Sequence, residues 1–300
     1  MSARGSRLGA WPLLVACALI AVDCGNSSPT GPSPPGPTPG QGTVLVGAGD
    51  ISICGSPNAE ATARLLDGVA GTVMAVGDLV YMTGSPEQFR DCYDPTWGRH
   101  KSRTNPVPGN HDYGTPDAAG YFGYWGSRAG PAGLGYYSYR LGNWLILALN
   151  SNIPADVGSS QHEWLRGVLA SNTSTCVAAY MHHPLFSSGP NGDNPHVRAL
   201  WQLMYDRGVE LVVSGHEHVY ERYAPQDPGG RSDPTRGIRL FIAGTGGHSL
   251  YEFVRVKPNS EVRGLAFGVL KLTLADGRYD WQFLAVPGSG FSDNGSEMCR

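Results

Sequence analysis

Four short apolar runs in this chain stop abruptly at a polar residue, and that repeated ending restricts the fold more than any other feature. Val44-Leu45-Val46 leads through Gly-Ala-Gly to Asp50, and Thr72 to Val76 runs into Gly77-Asp78. Val177 to Met181 ends at His182, and Leu211 to Val213 leads to Gly215-His216; Asn110 follows a Pro108-Gly109 turn. Between these runs lie segments with helical spacing. Ala59 to Asp67 turns Leu65 and Leu66 inward before Gly68. Ser160 and Glu163 predict a capping box for a helix through Leu169. Asn194-Pro195 opens a helix with Leu200, Trp201 and Met204 inward, closed by Gly208. Strand, loop, helix and strand repeated in this way predict a layered α/β fold. Tyr136 to Leu149 reads as a hairpin turning at Gly142-Asn143, and the chain after Gly237 is mostly strand. The expectation is one domain with two mixed β-sheets packed together and flanked by helices. In open α/β sheets the carboxyl ends of strands converge on a crevice, so separate loops deliver their polar residues to one site.

The first residues have a different character. Arg4 and Arg7 precede an apolar run from Leu8 to Val22, short for a membrane span and right for a signal peptide over residues 1–24. Leu14-Val15-Ala16-Cys17 is lipobox-like, and Ala21-Val22-Asp23-Cys24 is a poorer version that opens directly onto a spacer. Export is expected, either free or through a lipid on Cys17 or Cys24. Residues 25–42, GNSSPTGPSPPGPTPGQG, form a Pro/Gly-rich linker of up to roughly 50 Å, so the folded domain is expected over 43–300. A net charge of -3 offers no broad basic field for nucleic acid or anionic lipid. Membrane contact is therefore expected only through an N-terminal anchor, with the chain secreted or held at the cell surface as a monomer. Cys54, Cys92, Cys176 and Cys299 remain after export, and an even count predicts two disulfides with three pairings open.

Carboxylates, an amide oxygen and imidazoles delivered to one crevice suit hard or borderline metal ions. The segments Gly49-Asp50, Gly77-Asp78-Leu79-Val80-Tyr81, Gly109-Asn110-His111-Asp112, Met181-His182-His183-Pro184 and Gly215-His216-Glu217-His218 stand in a definite order. In that order they resemble the calcineurin-like metallophosphoesterases, and Tyr81 with Gly215 to Arg222 resembles the purple acid phosphatases in particular. The resemblance implies that Asp50, Tyr81, His218 and a bridging Asp78 hold one metal. Asn110, His182, His216 and the same Asp78 would hold the other. A carboxylate with two oxygens can bridge cations ~3.5–4 Å apart. His216 and His218, two residues apart, share a face of an extended segment. Ser52 stands where many relatives have a histidine ligand, so Tyr81 is the natural replacement, and a phenolate favours Fe(III) beside a divalent Fe, Zn or Mn. Of the adjacent pair, the family's His-x-Pro spacing selects His182 over His183.

The implied activity is phosphate-ester hydrolysis by a hydroxide shared between two cations. His111 is expected to protonate the leaving alkoxide and Asp112 to orient its imidazole. The substrate is a small phosphate ester, read as a monoester. A phosphodiesterase or nucleotidase of the same chemistry, and a non-catalytic surface binding protein on the same scaffold, are the alternatives. His248 in Gly246-Gly247-His248 can approach substrate or lie in solvent. Arg99, His100, Lys101 and Arg103 can steer phosphate or merely solvate a helix, and Arg222 is expected to anchor the last motif through a salt bridge.

Overall fold

Successive side chains of β1 (Thr43–Ala48) take opposite faces of the sheet: Leu45 joins an inner apolar cluster and Val46 an outer one, both buried. That period of two sets the layering of the molecule. The computed structural model describes residues 42–300. The signal-like run, Cys17, Cys24 and the linker up to residue 41 lie outside the described residues.

The elements follow in the order α1 (Asn58–Asp67), β2 (Thr72–Val76), a single turn α2 (Pro86–Gln88), β3 (Thr104–Val107) and α3 (Ala119–Trp125). Next come β4 (Tyr137–Leu141), β5 (Trp144–Ala148), α4 (Ser160–Ala170), β6 (Cys176–Tyr180), α5 (Arg198–Asp206) and β7 (Leu211–Ser214). The last are β8 (Tyr220–Tyr223), β9 (Arg239–Ala243), β10 (Ser260–Gly264), β11 (Gly268–Ala275), β12 (Arg278–Ala285) and β13 (Asn294–Met298). One sheet has the order β13-β12-β11-β1-β2-β3, the other β10-β8-β9-β7-β6-β5-β4. Both are mixed. β1, β2 and β3 are parallel in the first, as are β5, β6, β7 and β9 in the second.

Leu45, Met74, Val76, Ile146, Tyr180, Val213 and Phe241 meet between the sheets. α4 and α5 cover the outside of the second sheet with Leu165, Leu169, Leu200, Trp201 and Met204. α1 covers the outside of the first with Ala59, Ala63 and Leu66, beside Trp97 and Tyr121. The expected pair of mixed sheets flanked by helices is present, and so is the hairpin, with Leu141 paired to Trp144 across Gly142-Asn143. Two disulfides, Cys54–Cys92 and Cys176–Cys299, close the four-cysteine count. The first ties the loop after β1 to the segment after α2; the second ties the start of β6 to the residue beyond β13.

Two expectations resolve toward structure. Arg99 pairs with Glu60 at 2.7 Å and Asp67 at 2.8 Å, and Arg103 donates to the Leu66, Val69 and Gly71 carbonyls. Lys101 lies 3.7 Å above the Tyr124 ring. This cluster braces α1 and its neighbours, because its charges are already spent on protein partners. Arg222 does anchor its motif, with Nε 2.8 Å from Asp293.

The capping box is corrected. The N-cap of α4 is Ser159, not Ser160: Ser159 is extended at φ -65 and ψ 155, and its side chain accepts from the His162 N–H. Two adjacent serines offer the same chemistry, and the backbone turns helical only after the first. Ser159→Ala is therefore expected to cost about 1 kcal/mol and Ser160→Ala only a few tenths, read from urea unfolding of both variants.

Candidate metal centre

Three strands deliver their terminal residues in an unusual backbone state. Asp50 after β1, Asp78 after β2 and His216 after β7 have φ of 58, 50 and 68. Non-glycine residues rarely occupy this left-handed region, and those that do cluster at functional sites. Here it turns the chain sharply at each strand end. Asp50 N–H donates to the Gly77 carbonyl (3.0 Å) and Ile51 N–H to the Asp78 carbonyl (2.9 Å), locking the first two turns side by side. The third turn closes on the first, His216 N–H donating to Asp50 Oδ2 at 2.8 Å. Asn110 follows β3 on the Gly109 turn, and the next residue, His111, donates its N–H to Asp78 Oδ1 at 2.8 Å. Glycine is required at 109, since a Cβ there would fall 2.1 Å from Asp78 Oδ1.

The side chains then meet. Tyr81 Oη lies 2.7 Å from Asp50 Oδ1, 2.9 Å from Asp78 Oδ2 and 3.2 Å from His218 Nε2. His218 Nε2 is also 3.2 Å from Asp50 Oδ1. On the other side of Asp78, His182 Nε2 is 3.3 Å from Asp78 Oδ2 and 3.1 Å from Asn110 Oδ1. Its Nδ1 bonds the Val76 carbonyl at 3.0 Å, which orients the ring and leaves Nε2 facing inward, as metal-binding histidines are commonly held. The His216 ring centroid is 5.1 Å from that of His182. All seven residues expected as ligands are thus in one cluster, with Asp78 between its two halves.

The electrostatics are those of a buried anionic site. Asp50 and Asp78 are 0% and 1% exposed. Burial pushes both carboxyls up, yet both lie below the usual carboxylate range. His218 and His182 lower Asp50, and His182 and His111 lower Asp78. Burial pulls His182 down, but Asp78 and Asp50 outweigh it and push it up to about 9. Burial and the same two carboxylates hold the Tyr81 phenol well above its ordinary value. His216 is brought down to about 4 by burial and His182. Among the described residues neither carboxylate has a Lys or Arg partner. Buried carboxylates require charge compensation, and histidines alone give it only while protonated. The donor set of carboxylates, phenol, amide oxygen and imidazoles fits hard and borderline cations. Asp50, Asp78 and His182 each offer an atom within 4.8 Å of the others, as do His182, His183 and His216.

One expected role is not found. Asp112 does not orient the His111 imidazole. Its carboxylate accepts from Gly109 N–H at 2.8 Å and from Leu79 N–H at 3.2 Å, pinning the third loop to the second. A carboxylate turned toward two backbone donors has left its neighbour's ring behind. Burial and the charge of Asp78 push its carboxyl up to about 8. The His111 ring is held instead through Nδ1, which donates to the Met82 carbonyl at 2.6 Å.

His183, expected beside the ligands, has its Nδ1 2.8 Å from Ser151 Oγ and its ring 4.4 Å from that of His216. His248 is not solvated at a distance: it stacks on Tyr81 with centroids 3.8 Å apart. Sequence reading missed Ser151, Ser249 and Tyr251. Ser249 Oγ bonds His218 Nδ1 at 2.7 Å, and Tyr251 stacks on His218 at 4.0 Å. Serines and tyrosines in irregular loops carry no pattern that marks them; for Ser249 and Tyr251 only their position after His248 was a hint, and Ser151 had none.

Residues 44–220 match the family model of the calcineurin-like phosphoesterase. Purple acid phosphatase 22 of Arabidopsis thaliana is 30% identical over 153 residues, a segment that is 48% of this chain and 35% of that protein. Purple acid phosphatase 15 of the same plant is 29% identical over 169 residues, 47% of this chain and 31% of that protein. The chain thus spans about a third of the length of these curated relatives. A purple acid phosphatase from yellow lupin seeds superposes with TM-score 0.71 over 87% of this chain and 55% of its own, at 21% identity. GAP50, the anchor in the inner membrane complex of Plasmodium, superposes with TM-score 0.67 over 86% of this chain and 89% of its own, at 12% identity. At these identities the two structures are similar in fold alone.

Because a side chain at position 109 would overlap Asp78, Gly109→Ala is expected to cost about 1–3 kcal/mol through overpacking. Gly123→Ala in α3, where a Cβ meets no neighbour, is the control and should not lower stability. Urea unfolding of the two variants measures the difference.

Proposed function

The chain belongs to the calcineurin-like phosphoesterases, and on that footing we propose that it is a dinuclear metal-dependent phosphatase acting on small phosphate monoesters. The observation that carries this reading is the pair of buried carboxylates without Lys or Arg partners among the described residues, ringed by histidines. Asp50, Tyr81, His218 and Asp78 would hold one ion, and Asn110, His182, His216 and Asp78 the other. Two ions bound there lower the pKa of water and offset charge on the phosphoryl oxygens. Fe(III) beside a divalent Fe, Zn or Mn is the proposed pair. The support is Tyr81, whose phenol oxygen lies 2.7 Å from Asp50 and 2.9 Å from Asp78 and as a phenolate favours a highly charged cation.

The chain's own groups do the remaining work. Since His111 Nδ1 donates to the Met82 carbonyl, Nε2 is the nitrogen that exchanges a proton. Protonated at Nε2, His111 hands that proton to the leaving alkoxide. Asp112 acts earlier and elsewhere, keeping the Asn110-His111 loop against the Asp78 loop. Two disulfides support an extracytoplasmic location, secreted or lipid-anchored. No helix among the described residues is long and apolar enough to cross a membrane.

Metal analysis of purified protein, run beside hydrolysis of p-nitrophenyl phosphate and bis(p-nitrophenyl) phosphate, tests the reading. Two metal equivalents and preference for the monoester are expected. Preference for the diester would assign a phosphodiesterase, and neither metal nor hydrolysis would assign a binding protein. Asp78→Ala should lose both ions and all activity; retention of two equivalents would overturn its bridging role. His111→Ala should keep both ions and lose ~10²–10⁴-fold in rate. That loss should be larger for alkyl phosphates than for p-nitrophenyl phosphate, whose leaving group needs no proton. Equal losses would remove the acid role.

A further inference from the structure

A chain of hydrogen bonds leads from the metal centre to a histidine that the proposed mechanism does not use. His218 Nε2 faces the cluster, 3.2 Å from both Asp50 Oδ1 and Tyr81 Oη. Its Nδ1 lies 2.7 Å from Ser249 Oγ, and Ser249 Oγ lies 2.8 Å from His248 Nδ1. The relay reads outward from the metal side. A histidine that gives Nε2 to a metal carries its proton on Nδ1, so His218 donates to Ser249 Oγ. Ser249 Oγ–H has no other acceptor among the described residues, so its proton goes to His248 Nδ1, which accepts it. A neutral imidazole that accepts at Nδ1 carries its proton at Nε2. His248 Nε2–H has no protein hydrogen-bond partner among the described residues.

The position of this donor is equally constrained. His248 N–H donates to the Asp50 carbonyl at 3.0 Å, and Gly246 N–H to the Gly49 carbonyl at 2.9 Å, so the segment is fastened to the first ligand turn. The ring stacks on Tyr81 at 3.8 Å with planes 29° apart, and its centroid is 5.1 Å from that of His218. His111 packs on the same tyrosine, centroid to centroid 4.4 Å. His248 is half-buried.

We infer that His248 is a substrate-binding residue: its Nε2–H donates to a non-bridging phosphoryl oxygen, and Ser249 holds it in that tautomer. This rests on the phosphoesterase reading. It divides labour between the two histidines beside Tyr81. His111, tied by Nδ1 to a carbonyl, can give up a proton at Nε2, whereas His248, accepting at Nδ1, presents a proton that it keeps. A neutral donor of this kind grips a phosphate dianion without adding charge beside the ions.

The test uses zinc-loaded enzyme and inorganic phosphate as the probe. Calorimetry should show phosphate binding weakened roughly ten- to hundred-fold in His248→Ala, one hydrogen bond to a charged group, with both metals retained. His248→Gln, which returns an N–H donor at similar reach, should recover part of that loss. Nitrogen-15 NMR should show His248 as the Nε2–H form in wild type and as a mixture in Ser249→Ala. Phosphate affinity in His248→Ala within about two-fold of wild type, beneath one lost hydrogen bond, overturns the inference. So does loss of metal in that variant, or a His248 protonated on Nδ1, or a tautomer indifferent to Ser249. Wild type loaded with Fe(III) and zinc that neither binds phosphate nor hydrolyses p-nitrophenyl phosphate overturns the inference together with the reading beneath it. Active wild type that His248→Ala matches overturns the inference alone.

Discussion

Two carboxylates, Asp50 and Asp78, are buried side by side at the ends of adjacent parallel strands, and the surrounding structure is organised around that costly arrangement. Neither has a cationic side chain of Lys or Arg beside it among the described residues. Their oxygens instead collect backbone N–H groups from His216 and His111, the Tyr81 phenol and two imidazoles. Burying an uncompensated carboxylate costs several kcal/mol at least. An arrangement of this kind persists because something of opposite charge belongs there. The left-handed turns at Asp50, Asp78 and His216 are a second expense in the same place. Strain and buried charge coincide at one crevice, and the rest of the molecule is an ordinary well-packed pair of sheets.

That crevice exists because of strand direction. β1, β2 and β3 run parallel in one sheet, as do β5, β6 and β7 in the other, so their following loops open at a common end. Apolar residues pointing inward from both sheets hold the two rows of loops in register. The antiparallel strands β11, β12 and β13 extend the first sheet away from the site. Their contribution is mass and anchorage: Asp293, just before β13, receives Arg222 and the Tyr220 hydroxyl at 2.7 Å, steadying the segment after His218. Packing in one half of the molecule thus fixes the position of a cluster residue in the other.

Around the cluster, the hydrogen-bond partner of each histidine's second ring nitrogen decides what that histidine can do. His182 is tied by Nδ1 to the Val76 carbonyl, His218 to Ser249 and His111 to Met82. His183 differs, with its Nδ1 at the Ser151 hydroxyl, which also accepts from the His183 N–H. Ser151 Oγ–H has no other acceptor among the described residues, so its proton goes to His183 Nδ1 and His183 carries its own on Nε2. Identical residue types therefore serve different ends, and the difference lies in partners remote in sequence.

Asp50, Asp78, His182 and His216 were legible in the chain because each stands at the end of an apolar run, and a strand's carboxyl end has one place to go in a layered α/β fold; Asn110 stood out by its Pro-Gly turn, and Tyr81 and His218 by the family resemblance. The Ser159 cap was misread because neighbouring serines have equal propensity, and only the backbone turning at one of them distinguishes the pair. The Asp112 role was misread because adjacency to His111 says nothing about direction; Leu79, 33 residues earlier, claims its oxygens. Residue types, their order and their alternation with apolar runs determined the layered fold and the members of the cluster. Tertiary structure alone decided the tautomers, the stacking of His248 on Tyr81 and the bracing by Ser151 and Ser249. Those depend on hydrogen bonds between residues far apart in the chain, and a hydrogen bond has a direction and a reach of about 3 Å that no spacing along a sequence encodes.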